Sequence, residues 1–137
     1  MSTRLVVPFA ITGWEQINYD EPTDGVPLAR ATVRKTFDGE LRGTSVAELL
    51  LCAPDDAHAG YLGQERFTGI LAGREGTFVI QHGGIVDGPD QRPFGAIIPG
   101  AATGALRGLR GNVTFMHDEQ GARIQIDYEF AELGAGE

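Results

Sequence analysis

The chain is poor in cysteine, in basic residues and in any segment that reads as a long helix, and each shortage removes a class of protein. Cys52 is the only cysteine, so no intrachain disulfide can staple the fold, and the expected setting is a reducing, cytoplasmic one. Lys and Arg number 11 against 19 Asp and Glu, a formal charge of −8. An acidic surface repels phosphate backbones and anionic lipid, which argues against nucleic acid and membranes as partners. No run approaches the roughly 20 apolar residues of a spanning helix. The apolar opening LVVPFAI is short, broken by Pro8 and followed by no small-residue cleavage site.

Several chemistries are missing as well. His58, His82 and His117 show no H-x-x-x-H spacing, so no metal is implied. Asp55, Asp56 and His58 read as a solvated hairpin tip rather than a cation site. Ser2 and Ser45 lack a G-x-S-x-G setting, and Cys52 lies in an apolar run with no histidine beside it in sequence, which favours packing over nucleophilic work. The glycine-rich stretches precede no long helix, so they are not phosphate loops. No cofactor is implied.

What the chain does hold is glycine and strand-forming sequence. Twenty glycines with 42% hydrophobic residues suit one ordinary core with many tight turns, and residues 1–137 read as a single domain. Eight segments, TRLVVPFAITGW, ARATVRKTF, TSVAELLLC, GYLGQERFTGIL, GTFVIQHGG, PFGAIIPG, GNVTFMH and ARIQIDYEF, are rich in β-branched and aromatic residues and bounded by turn formers. Short links such as FDGELRG and LAGREG make neighbouring strands antiparallel. EQINYDEPTDG reads as a loop between the first two strands, and one helical turn fits ALRGL, residues 105–109. The triplet leucine-any-glycine recurs at Leu41, Leu71 and Leu106, and it reads as a hairpin signature: a strand ending in an inward leucine, a glycine with positive φ, and a return strand. Eight such strands close most economically into a barrel, which removes exposed edges and leaves room for side chains or one small ligand; a sandwich is the competing plan.

The ordered set W-E-x-x-x-Y at Trp14, Glu15 and Tyr19, RATVRKTF at 30–37, GQERFTG at 63–69, GTFVIQH at 76–82, PGAATGALRGLRG at 99–111 and IDYEF at 126–130 resembles the DUF3224 family nearly end to end. The resemblance implies an eight-stranded antiparallel β-barrel with little helix, of the allene-oxide-cyclase-like kind and lipocalin-like in plan. It implies no substrate.

Strand periodicity then assigns faces, because successive side chains point to opposite sides. Phe78 and Ile80 share a face with His82. Ile124, Ile126, Tyr128 and Phe130 form one stripe, and Tyr61, Glu65 and Phe67 another. Lys35 shares a face with Ala31, Val33 and Phe37. In residues 44–52 neither face wins, and Glu48 stays a candidate for the interior. His82, Glu65 and Tyr128 are therefore the expected catalytic or ligand-orienting group. Trp14, Lys35, Glu48, Tyr61, Phe67, Phe78, Ile80 and Ile126 are the expected ligand-binding set. Against this stands a plain structural role: His82 capping a strand end on the backbone near Gly83 and Gly84, and Lys35 with Glu65 as an internal ion pair. The expected partner is a small hydrophobic molecule, bound by a carrier or turned over by a cofactor-free isomerase or cyclase acting on a polyketide- or oxylipin-like substrate. A dimer or trimer of the chain is compatible with either reading.

Overall fold

The computed structural model describes residues 2–131. Its strands are β1 (Thr3–Asp20), β2 (Leu28–Phe37), β3 (Leu41–Asp55), β4 (His58–Leu71), β5 (Arg74–Asp87), β6 (Asp90–Ile97), β7 (Leu109–Asp118) and β8 (Gly121–Phe130). Each pairs antiparallel with its sequence neighbour, and β1 pairs with β8 to close an eight-stranded barrel. Among the described residues no helix is long and apolar enough to cross a membrane.

The leucine-any-glycine triplets match their expected facing and backbone, but two of the three are not the hairpin turns that their pattern predicts: Leu41–Gly43 opens β3 and Leu106–Gly108 leads from a 3-10 turn into β7. Leu41, Leu71 and Leu106 are fully buried, and Gly43, Gly73 and Gly108 have positive φ. Only the second forms a hairpin turn: Ala72 and Gly73, at φ 48° and 84°, carry the two positive φ angles that match a two-residue turn to the twist of its strands. The third follows a single 3-10 turn, Gly104–Leu106, one residue ahead of the turn expected at 105–109. Thr103 ties this turn to β5 through its backbone N–H on the Thr77 carbonyl (2.9 Å).

These pieces make the two ends of the barrel unlike. At the end holding the 3-10 turn, Phe37, Phe67 and Phe78 pack with ring centroids 5.6 and 5.0 Å apart, surrounded by Leu41, Leu71, Leu106 and Leu109, all fully buried. This end is closed. At the other end, small inward residues such as Ala31, Ala47 and Gly63 leave space. There β6 pairs with β7 only at Ala96 and Ile97, so from residue 95 back to 90 its ladder partners are on β5 alone.

One expected loop is largely strand. Residues 15–20 belong to β1 and pair with β2, leaving 21–27 as the connection. Two bulges hide the alternation, between Ile11 and Gly13 and between Asn18 and Asp20. An extra residue shifts the parity of everything after it. Beyond the first bulge, Trp14 lies opposite Val33 and Gln16 opposite Ala31, so polar residues occupy the inward positions at the mouth.

Candidate functional site

A cavity of about 630 Å³ occupies the open end. Val33, Leu49, Leu51 and Phe115 line it, with Trp14, Ile85 and Phe94, each about half exposed, at the mouth. Lys35, Tyr61 and His82 supply polar atoms at its floor.

The floor follows from strand register. His82 on β5 lies opposite Gly63 on β4 and Gly95 on β6. Both neighbours need to be small: a Cβ on Gly63 would sit 2.5 Å from Leu49 Cδ2 and 3.2 Å from the His82 ring, and one on Gly95 would sit 2.6 Å from Val113. Tyr61 and Glu65 stand two residues either side of Gly63, the diagonal positions that long side chains reach across an antiparallel pair. Both reach His82. The Tyr61 hydroxyl lies 2.9 Å from Nδ1, and Nε2 lies 2.9 Å from Glu65 Oε1.

Glu65 is the centre of the cluster and has no exposed surface. Oε1 also accepts from Lys35 Nζ at 3.0 Å, and Oε2 accepts from the Ser45 hydroxyl at 2.5 Å. Burial pushes its carboxyl pKa up, but the His82 hydrogen bond, the Lys35 charge and the Ser45 hydrogen bond outweigh it and hold the value at about 2. An ionised carboxylate only accepts hydrogen bonds. His82 Nε2 therefore carries the proton it shares with Glu65, and in the neutral ring Nδ1 accepts from the Tyr61 hydroxyl. Burial, then the Glu65 charge, raises the Tyr61 pKa, which keeps the phenol protonated. Lys35 Nζ stands 4.1 Å from the Phe115 ring centroid and 5.0 Å from that of Phe9, and the His82 ring tilts onto Phe115 at 4.7 Å.

The structure thus brings together Lys35, Tyr61, Glu65 and His82, and places Trp14 at the mouth. It does not bring in the rest. Tyr128 shares the inward face with Ile124 and Ile126 but is packed in the closed-end core against Phe130, opposite Thr3 and Gly111, because β8 carries it to a height below the cavity. Phe67, Phe78, Ile80 and Ile126 are inward as expected but are core, fully or almost fully buried below the cavity. Glu48 points outside, where it accepts from Thr32 (2.8 Å) and meets Arg30 (3.6 Å). Its strand turns Ser45, Ala47, Leu49 and Leu51 inward instead. The strand-end cap for His82 is absent too, since both ring nitrogens are used by side chains.

Ser45 and Phe115 are members of the site that the sequence does not announce. Exposed Val46 and Leu50 on the outer face mask the parity that would have pointed Ser45 inward. One usable signal was Lys35 itself. It is the chain's only lysine, yet it is buried to 7% exposure. Among the described residues no group of three His, Cys, Asp or Glu is placed to hold a metal.

A family model described as a protein of unknown function, DUF3224, matches residues 6–130. The chain belongs to the DUF3224 family. A crystal structure of a DUF3224 protein of unknown function from Shewanella oneidensis MR-1 is 30% identical, covers 96% of this chain and 100% of its own, and superposes with a TM-score of 0.87. No curated protein matches.

Proposed function

We propose that this DUF3224 barrel binds a small hydrophobic molecule in its open end, with the cluster at the floor orienting the ligand's polar part. The observation that carries this reading is the cavity of about 630 Å³, whose apolar walls end on a buried, hydrogen-bonded ionic group. That volume lies within the range of small-molecule sites, about 300–1,000 Å³, and such sites combine apolar walls with a few fixed polar atoms. A purely structural barrel would fill this end with side chains, as the closed end is filled. The cavity-bearing plan of the allene-oxide-cyclase-like superfamily, which the sequence resemblance implies, supports the same reading. Native mass spectrometry of the purified protein, followed by denaturing release, tests it. A stoichiometric apolar adduct is expected. An empty protein that also fails to bind apolar probes would refute the reading.

A second reading, a cofactor-free isomerase or cyclase, draws support from one feature. Tyr61, His82 and Glu65 form a continuous hydrogen-bonded chain, in which the carboxylate fixes the tautomer of the imidazole and the imidazole accepts from a phenol facing the cavity. Such a chain can move a proton at the phenol oxygen without a cofactor. Under this reading Tyr61→Phe abolishes turnover of the released molecule while retaining its binding, and unaltered turnover would remove the enzyme reading.

A further inference from the structure

We infer that the ligand carries a carboxylate, seated on Lys35 at the cavity floor with its apolar part toward the mouth; this rests on the binding reading above and specifies its chemistry. The first ground is the charge of the lining. In a chain of net charge −8, the charged or titratable nitrogen groups that reach the cavity wall are Lys35, His82, Arg92 and His117, and no Asp or Glu among the described residues lines it. Arg92 stands at the rim, its side chain 61% exposed to water and its Nε donating to Asp90 at 3.0 Å, and His117 sets its ring edge-on to Phe9. Lys35 is left as the cation at depth.

The second ground is the state of that cation. An ammonium has three donors, and Glu65 receives one of them at 3.0 Å. On its other sides stand the rings of Phe115 and Phe9, which attract a cation but offer no lone pair. Glu65 lies behind it, fully buried and already holding Ser45 and His82. Among the described residues no second hydrogen bond takes the remaining donors of Lys35, and a carboxylate supplies an acceptor as a charge-assisted hydrogen bond. The apolar part then lies along Val33, Leu49 and Leu51.

Decanoate and decanol, which differ only in the head, test the inference when titrated into the purified protein below their aggregation limits. The fluorescence of Trp14, the chain's one tryptophan, at the cavity mouth is the readout. Decanoate is expected to bind at least about tenfold more tightly than decanol. Lys35→Met alone would strand a buried carboxylate, so the paired change Lys35→Met with Glu65→Gln removes both charges together; in it the ratio is expected to fall to about one. Decanol binding as tightly as decanoate would overturn the carboxylate while leaving an apolar site. A preference that persists in the paired variant would overturn the seat on Lys35. Failure of both probes to bind would overturn the binding reading and this inference together.

Discussion

Glu65 is where residue-scale chemistry decides the most. Its carboxyl, ordinarily near 4.5, is held at about 2 in the fold, a difference that contributes about 3 kcal/mol of stability. Because the folded value is the lower one, this contribution is fully present above pH 4.5 and disappears as pH falls toward 2. The free energy of urea unfolding, measured across that window, should drop for the wild type. Glu65→Gln should start lower, because Lys35 is left buried without its counter-ion, and should lack this part of the pH dependence; parallel profiles for the two proteins would contradict the account. The inward facing of Glu65, Lys35 and His82 was legible in the sequence, since each sits in register with aromatic or β-branched neighbours. Their convergence was not. Period-two alternation tells which face a residue takes but not its height along the barrel, and height separates Tyr61, which meets His82, from Tyr128, which does not.

At the scale of strands and turns, glycine spacing set more of the geometry than hydrophobic pattern. Gly43 and Gly69 face each other across β3 and β4 with φ of 148° and 157°, and a Cβ on Gly69 would lie 2.1 Å from the Arg42 carbonyl oxygen. Gly69→Ala should therefore cost about 3 kcal/mol or more, through strain and a clash with backbone that cannot rotate away. Gly73, at φ 84° but with nothing near its Cβ position, should cost only about 1 kcal/mol on the same change. Chemical denaturation of the two variants separates steric from conformational need, and equal losses would defeat the distinction. The repeated triplets made such glycines visible in advance. The bulges in β1 were invisible, because a one-residue shift leaves composition unchanged, and with them went the strand character of residues 15–20. The β6–β7 seam was equally hidden, since pairing length depends on the partner. Beyond Ala96 and Ile97 β6 is held on one side only. Its amides over residues 90–95 should exchange with deuterium faster than those in the middle of β4, which pairs on both sides. Equal protection would mean the seam is closed in solution.

Across the whole molecule, stability and recognition are placed at opposite ends. The closed end carries the packed phenylalanines and the buried leucines, while the open end spends its inward positions on alanine, glycine and a buried ionic cluster. A barrel permits this division because its ladder runs continuously around the ring, so one end can be left unfilled without creating a free edge along the whole wall. The two ends should therefore respond separately to substitution. Phe67→Ala removes a fully buried ring from the closed end and should cost about 3–5 kcal/mol, with affinity for an apolar probe little altered in the molecules that remain folded. Gly84→Leu acts at the other end. Gly84 pairs with Tyr61 and lines the cavity, and a Cβ there would make only ordinary contacts, at 3.6 Å to Pro93 and Tyr61. Its backbone has no positive φ, so leucine can be accepted without strain and its side chain enters the cavity. Melting temperature should hold or rise, since glycine is a poor strand residue, while the Trp14 fluorescence response to decanol should be lost. A variant that melts early would show that this end is packed more tightly than its cavity indicates, and one that still binds would place the ligand elsewhere.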